Sequence, residues 1–337
     1  MMLSHKKNLC IWLVILLALS GIPESHAAYL STVTAESALV IDAQSGRVLF
    51  SRYPHTKRAP ASTAKLLTAL VILDDFDLND VVVIPEAATH VTPTVIGLRA
   101  GERYYVRDML RAILINSAND AATAMAIASA GSESHFAAKM NRKARHLGAA
   151  DSNFVRASGL PAKNQYSTAS DLMKIFRAAE KNNFIMKTAA IKTLNIRSLT
   201  GRVVTLKNHN KMLWRDSREM VGKTGWTRRA GHCFVGKLSA GSESIFVSIL
   251  KSERAWNDMA FFADRYLGPR SQPGIVGRYS VNDIQRALKN AGYFDLEPTG
   301  FFGPITKRSV IEFQKAHQLS ADGIVGPKTW HVLSQYL

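Results

Sequence analysis

The chain has 337 residues, with 43 Lys or Arg against 26 Asp or Glu, so its formal net charge is +17. Its length allows a sizeable buried core, and its two cysteines, Cys10 and Cys233, are too few for a disulfide-stapled fold. The basic residues are dispersed and no nucleic-acid-binding motif is present. These features exclude nucleic acid as the expected partner and favour anionic wall polymers or lipid head groups.

The N-terminal segment has the pattern of a secretory signal peptide. Lys6 and Lys7 precede an apolar run of about 14 residues at 9–22, and Ser25-His26-Ala27 offers small residues at the two positions that a signal peptidase recognises. A membrane span needs roughly 20 apolar residues, so this run is too short for an anchor. We predict a signal peptide over residues 1–27, export to the periplasm, cell wall or medium, and no stable membrane anchor after cleavage.

Residues 28–267 mix strand and helix patterns. The strand patterns lie at 38–43, 47–53, 81–84, 231–238 and 244–250, and the helical patterns lie at 60–73, 106–115, 121–130 and 169–180. Strands at both ends with helices between them predict an α/β (α+β) domain, in which helices flank an antiparallel sheet.

A linker and a second domain follow. Residues 268–277 are rich in Gly and Pro and lack periodicity, which is typical of a linker. A Gly-x-x-Gly-Pro-x-Thr segment then occurs twice, at 300–306 and 323–329, and each copy leads through Pro and Thr into a helix. With the helical patterns at 281–291 and 305–317, this repeat predicts an all-α three-helix module over residues 278–337.

The helical segment at 60–73 is apolar nearly all the way round, which predicts a helix buried in the core. Pro60 and the small hydroxyl residues after it mark its start, so Ser62 is expected in the first turn. Lys65 follows three residues later on the same helical face, and a buried lysine is costly unless something uses it. The pair predicts a nucleophile, Ser62, with its base, Lys65.

Two further motifs strengthen this hypothesis by their order. A Ser-x-x-Lys spacing alone is weak, because roughly one occurs by chance in a chain of this length. Ser117-Ala118-Asn119 lies at a turn between two helical patterns, and Lys223-Thr224-Gly225 precedes the strand pattern at 231–238. Ser-x-x-Lys, Ser-x-Asn and Lys-Thr-Gly in this order resemble the motif set of penicillin-binding proteins and class A β-lactamases.

The segments around these motifs resemble the serine D-alanyl-D-alanine carboxypeptidases, the low-molecular-mass penicillin-binding proteins, over residues 35 to about 265. The resemblance lies in ASTAKLLTA at 61–69, NSANDAA at 116–122, SGL at 158–160, STASDL at 167–172, KTGWT at 223–227 and AGHC at 230–233. It implies a penicillin-binding/β-lactamase-like transpeptidase fold and removal of the terminal D-alanine from peptidoglycan stem peptides. It also implies acylation by β-lactam antibiotics, and we expect no cofactor and no metal.

The resemblance further implies roles for the first two motifs. Ser62 would attack the carbonyl carbon of the D-Ala-D-Ala bond and form an acyl-enzyme, with a neutral Lys65 as its base. Ser117 would pass a proton towards the leaving D-alanine, and Asn119 would hold the substrate's amide.

The third motif would bind the substrate. Lys223 and Thr224 would face its terminal carboxylate, and the Lys223 charge, together with burial, would lower the pKa of the catalytic lysine. The oxyanion would lie between the backbone N–H of the nucleophile and that of Trp226, which follows Gly225. Arg254 is interpreted as a solvated arginine rather than a further carboxylate ligand.

The C-terminal module resembles the peptidoglycan-binding domain attached to many wall hydrolases. The resemblance lies in DIQRAL at 283–288, GY at 292–293, FGP at 302–304, FQ at 313–314, DGIVG at 322–326 and TW at 329–330. Thr299-Gly300 departs from the Asp-Gly that is usual in the family. Leu288, Phe313 and Trp330 are interpreted as its core, and we expect the module to bring the enzyme to wall glycan.

Alternatives remain open at this point. The motifs describe the catalyst and not the width of the cleft, so a D,D-endopeptidase that cleaves peptide cross-links is the second hypothesis. A β-lactamase is less favoured, because class A enzymes use a fixed glutamate and residues 135–178 contain none. A zinc peptidase is disfavoured by the lack of His-Glu-x-x-His. A non-catalytic wall-binding protein would need only the module.

Overall fold

The computed structural model describes residues 33–216, 218–268, 279–298 and 302–337. The predicted signal peptide and nearly all of the predicted linker lie outside these described residues. Within the described ranges, no helix combines the length and the apolarity needed to cross a lipid bilayer.

Each strand pattern and each helical pattern predicted from the sequence overlaps an element of the structure. The strands are β1 (Ser37–Asp42), β2 (Val48–Arg52), β3 (Val81–Val83), β4 (Arg103–Tyr105), β5 (Thr193–Arg197), β6 (Val203–Lys207), β7 (Glu219–Thr227), β8 (Gly231–Ala240) and β9 (Glu243–Ser252). The α-helices are α1 (Lys65–Asp75), α2 (Val106–Ile115), α3 (Asn119–Ala130), α4 (Glu133–His146), α5 (Ala169–Glu180), α6 (Asn183–Ala189), α7 (Met212–Arg215), α8 (Ala255–Leu267), α9 (Val281–Asn290), α10 (Pro304–Ala316) and α11 (Pro327–Leu333).

A five-stranded antiparallel sheet lies at the centre of the larger part of the chain, in the order β2-β1-β9-β8-β7, which confirms the prediction. Helices cover both faces, so residues 245–250 of β9 are all buried. Successive residues of β8 point to opposite faces: Val235 packs in the cluster that contains α1, and Phe234 packs against α8. Strand β7 is left at one edge of the sheet.

Helix α1 is buried along most of its length, as predicted, since residues 65–72 all lie in the core. The expectation that Ser62 lies in its first turn differs from the structure. Ser62 belongs to a 3₁₀ turn, Ala61–Ala64, that precedes the α-helix. Ala61 has φ +48°, which is outside the α-helical region, so it cannot belong to the α-helix, which begins at Lys65.

The C-terminal module consists of α9, α10 and α11, as predicted, and Pro304 and Pro327 lie at the starts of the last two helices. Two buried glutamines fix these starts: Gln285 donates to the Thr306 hydroxyl at 2.9 Å, and Gln314 donates to the Thr329 hydroxyl at 3.1 Å. The repeated sequence therefore corresponds to a repeated structural device.

The predicted core of this module is confirmed for two of its three residues. Leu288 and Phe313 are fully buried. Trp330 is half-buried: it packs against the edge of this core, and one face of its ring stacks on Tyr279, with the ring centroids 4.1 Å apart.

Candidate active site

The Ser62 hydroxyl lies beside the amine of Lys65. Lys65 Nζ is 2.9 Å from Ser62 Oγ, 2.8 Å from Asn119 Oδ1 and 2.6 Å from the Ser158 carbonyl oxygen. A neutral amine has two hydrogens and one lone pair. Because the amide and carbonyl oxygens can only accept, both hydrogens go to them, and the lone pair is left facing Ser62 Oγ. A neutral Lys65 is therefore oriented to accept the Ser62 proton.

The surroundings of Lys65 favour this neutral form. Its side chain is fully buried, and burial lowers the pKa of Lys65 well below its ordinary value. The positive charge of Lys223 lowers this pKa further, whereas the Asp120 carboxylate opposes the shift. Burial and a second cation thus act together, in the direction expected from the sequence.

Ser117 is held in a strained conformation next to the second lysine. Its φ is +58°, a left-handed conformation that costs a non-glycine residue roughly 1–3 kcal/mol and persists only where the surroundings impose it. Lys223 Nζ donates to Ser117 Oγ and to the Thr224 carbonyl oxygen, both at 3.0 Å. Burial lowers the pKa of Lys223 to about 7. This amine and this hydroxyl can therefore exchange a proton near neutral pH.

Asn119 begins α3 and connects the active-site lysine to a neighbouring loop. Its Oδ1 accepts from Lys65, and its Nδ2 donates to the Thr92 carbonyl oxygen at 2.9 Å. Its backbone N–H donates to the Thr94 carbonyl oxygen at 2.7 Å. Asp120 holds the same loop by accepting two backbone N–H bonds, at 2.9 and 3.2 Å. Nδ2 carries two hydrogens, so one remains for a ligand.

Strand β7 approaches Ser62 so closely that only glycine fits at Gly225. A Cβ atom there would lie 2.8 Å from the Ser62 nitrogen and 3.0 Å from the Ala61 Cβ. Trp226 is the next residue of the strand, and it pairs with His232 of β8. The contact brings the backbone amide of Ser62 next to the segment that carries the Trp226 amide.

Residues 158–160 support the start of the helix from another side. Gly159 has φ +76°, and a Cβ atom there would lie 2.0 Å from the Ala61 carbonyl oxygen. The preceding residue, Ser158, accepts the hydrogen bond from Lys65. This segment therefore positions both the 3₁₀ turn and the lysine.

Most of the site residues predicted from the sequence line one cavity. Five of the eight predicted residues contribute to its lining: Ser62, Ser117, Thr224, Gly225 and Trp226. Lys65, Asn119 and Lys223 are buried and reach the same site through hydrogen bonds to the serines and to one another. The sequence did not predict the other polar and aromatic residues of the lining: Thr94, His209, Lys211, His232, Phe234 and Trp256.

A rigid turn presents two of these unpredicted residues. Asn208 and Asn210 are buried, and their amide groups donate to backbone carbonyls at 3.0 and 2.6 Å. His209 and Lys211 alternate with them and line the cavity. Although His209 as a whole is exposed, partial burial of its ring, followed by the charges of Lys223 and Lys65, lowers the pKa of His209 to about 4, so the ring is neutral at pH 7. An Asn-x-Asn pattern is the only sequence signal for this turn.

Two residues whose roles the sequence left open lie in distinct surroundings. Cys233 is buried, with its thiol 3.8 Å from the Ala59 carbonyl oxygen, and burial raises the pKa of Cys233 to about 12. Cys233 is therefore a buried packing residue, and it also contributes to the lining of the cavity. Arg254 is exposed and does not line the cavity, in agreement with a solvated arginine.

Comparison with known proteins identifies both parts of the chain. The model of the D-alanyl-D-alanine carboxypeptidase family matches residues 24–253, and that of a peptidoglycan binding domain matches residues 278–333. The chain is 36% identical to D-alanyl-D-alanine carboxypeptidase DacB2 of Mycobacterium tuberculosis, over 64% of this chain and 74% of that relative. It is 29% identical to the D-alanyl-D-alanine endopeptidase of Escherichia coli, over 75% of this chain and 84% of that relative.

A solved structure supports the same assignment. The D-alanyl-D-alanine carboxypeptidase from Mycobacterium tuberculosis H37Rv is similar with a TM-score of 0.62 and 35% identity, over 65% of this chain and 84% of that one. The antiparallel sheet between helices is accordingly the fold of the penicillin-binding proteins. The chain therefore belongs to the D-alanyl-D-alanine carboxypeptidases, a family of serine peptidases, and carries a peptidoglycan-binding domain.

Proposed function

We propose that this protein removes the terminal D-alanine from peptidoglycan stem peptides through an acyl-enzyme on Ser62. The observation that supports this most directly is the 2.9 Å contact between Ser62 Oγ and Lys65 Nζ, in which a buried amine with a lowered pKa faces a hydroxyl that lines a cavity. Ser117 and Thr224 line the same cavity.

Acylation starts with proton transfer from Ser62 Oγ to Lys65 Nζ. Oγ then attacks the carbonyl carbon of the D-Ala-D-Ala bond, and the oxyanion accepts from the backbone N–H groups of Ser62 and Trp226. The C–N bond breaks as the leaving nitrogen takes a proton through Ser117, which is bonded to Lys223. Free D-alanine departs, and water hydrolyses the ester in the second half of the reaction.

Substrate binding uses the edge of the sheet. Because β7 has no further strand beyond it in the described sheet, an extended peptide can pair with its free side. Lys223 and Thr224 bind the terminal carboxylate, and the free hydrogen of Asn119 Nδ2 binds a substrate carbonyl. Gly225 keeps the strand close enough to the nucleophile for this pairing.

The enzyme works outside the cytoplasm, in the maturation of peptidoglycan and thus in the maintenance of cell shape. Residues 1–27 act as a signal peptide, residues 28–267 form the D,D-peptidase domain, residues 268–277 form the linker, and residues 278–337 tether the enzyme to the wall. Binding to the wall raises the effective concentration of substrate at the catalytic domain.

A D,D-endopeptidase is the second candidate. The chain spans a larger share of the endopeptidase relative, 84%, than of DacB2, 74%. Both activities cleave after D-alanine with the same Ser62 and Lys65, and they differ in whether free D-alanine or a cross-linked stem leaves.

Incubation with monomeric and cross-linked muropeptides, followed by mass analysis of the products, separates these candidates. Release of free D-alanine from pentapeptide monomers is expected, whereas conversion of cross-linked dimers alone would establish the endopeptidase. Ser62→Ala must abolish either activity, and retained activity in that variant would contradict the whole proposal.

A further inference from the structure

One part of the Ser62 cavity is built from side chains that the proposed reaction does not use. The rings of Trp226 and His232 lie next to each other across β7 and β8, with centroids 6.2 Å apart. Trp256, at the start of α8, and Lys211 line the same cavity. We name Lys211, Trp226, His232 and Trp256 the outer wall.

The outer wall is continuous with the catalytic cleft but extends towards the opposite face of the sheet. Phe234 follows His232 on the same face of β8 and packs in the apolar cluster under α8. Cys233, between them, faces the other way, towards the segment that precedes the nucleophile. A substrate that occupies the whole cavity therefore contacts both the catalytic serine and the α8 side of β7.

The outer wall has the chemistry of a binding surface. Trp226 is 60% exposed, although a large aromatic ring is stabilised by burial. Lys211 is exposed, and within the described residues its side chain forms no hydrogen bond or ion pair. Burial of the His232 ring and, to a smaller extent, the positive charge of Lys211 lower the pKa of His232. Lys211 thus supplies a positive charge to a wall that otherwise consists of aromatic rings.

We propose that the outer wall is a specificity subsite for a free carboxylate carried by the peptide on the N-terminal side of the D-Ala-D-Ala bond. This inference rests on the proposed function. The terminal carboxylate of the substrate is bound by Lys223 and Thr224. A peptide that pairs with β7 in an extended conformation advances about 3.3 Å per residue. A carboxylate beside Trp226 and His232, further along the strand, must come from an earlier residue. The aliphatic part of that residue's side chain packs on Trp226 and Trp256, and its carboxylate forms an ion pair with Lys211.

A pair of peptides tests this inference. Both end in D-Ala-D-Ala, and the residue before it carries either a side-chain carboxylate or the corresponding carboxamide. Since exposed ion pairs contribute about 0.5–1 kcal/mol, kcat/KM for D-alanine release should favour the acid by about two- to fivefold, through KM. Both peptides have the same terminal carboxylate, so its contribution cancels in the ratio of their kcat/KM values.

Three variants isolate the charge. Lys211→Gln should abolish the preference by raising KM for the acid peptide, Lys211→Arg should retain it, and Lys181→Gln, at an exposed lysine that does not line the cavity, should behave as wild type. Salt at about 0.5 M should weaken the preference of the wild type, because it screens exposed charges.

The outcomes are distinguishable. Failure of the wild type to release D-alanine from either peptide would overturn the proposed function, and the subsite with it. Release with the same acid-to-amide ratio in wild type and Lys211→Gln would overturn the subsite alone. An equal fall in kcat for both peptides would assign Lys211 a structural role and would also overturn the subsite.

Discussion

The backbone nitrogen of Ser62 and the α-carbon of Gly225 lie so close that one methyl group on Gly225 would be 2.8 Å from that nitrogen. The contact joins the edge strand of the sheet to the start of the buried helix, two elements far apart in sequence. It brings the Ser62 amide close to the strand segment that carries the second proposed oxyanion donor.

Substitution of Gly225 by alanine should slow acylation strongly. The added methyl pushes β7 away from Ser62 and disrupts the oxyanion site, and loss of one such donor costs about 3 kcal/mol, or roughly 100-fold in rate. The rate of labelling by a fluorescent penicillin measures this effect. Gly326→Ala is the matched control, because a Cβ there meets nothing within 4 Å. An unchanged labelling rate in Gly225→Ala would contradict the assigned geometry.

The pH dependence of kcat/KM on a D-Ala-D-Ala peptide should be bell-shaped. Protonation of Lys65 removes the base at low pH, and deprotonation of Lys223, whose pKa is about 7, removes the cation that faces the carboxylate. Because kcat/KM reports the free enzyme, the alkaline limb should begin near pH 7, with the two lysines titrating as a coupled pair. D-alanine release measured from about pH 5 to 10 tests this. A flat profile between about pH 6 and 9 would exclude these assignments.

Lys223→Met should change how stability depends on pH. The folded-state pKa of Lys223, about 7, lies below its ordinary value of 10.5, so between these values the unfolded chain binds more protons than the native one. Wild-type stability should therefore rise with pH relative to the variant, by up to about 1.4 kcal/mol per pH unit. Urea unfolding at pH values between 7 and 10 measures the difference. Parallel curves for the two proteins would refute the lowered pKa.

Penicillin should form a long-lived adduct on Ser62. The Asp120 carboxylate, which opposes the lowering of the Lys65 pKa, already accepts hydrogen bonds from backbone N–H groups. Residues 135–178 contain no glutamate that could activate a deacylating water. Intact-protein mass spectrometry should show the added mass in the wild type and not in Ser62→Ala. Rapid turnover of penicillin without an adduct would indicate a β-lactamase instead.

Deletion of residues 273–337 should separate catalysis from wall binding. The module has its own buried core, and the residues that line the candidate site lie outside it. Activity on a small soluble peptide should be retained, whereas sedimentation with isolated sacculi should decrease. Unchanged sedimentation of the shortened protein would show that the catalytic domain binds the wall unaided.

The parts of the fold that the sequence predicted are those with strong local periodicity. Helix α1 is apolar on all sides, and β8 and β9 have long apolar runs, so each was predicted near its observed bounds. The β5–β6 hairpin was missed because each of its strands buries a single residue fully, Ile196 and Leu206, among exposed polar neighbours. Helix α4 was missed because its buried stripe is narrow in a largely polar segment.

For this protein, the sequence by itself determined the residue types of the candidate site and their order, because Ser62 and Lys65 lie one helical turn apart and such spacing is local. Only the tertiary structure decided how the three motifs meet. The close approach of Gly225, the left-handed backbone of Ser117 and the three acceptors around Lys65 all depend on packing between distant segments. The outer wall forms only because α8 packs on β8 and β9 and the 208–211 turn is hydrogen-bonded to β7, which brings Trp256 and Lys211 beside Trp226 and His232.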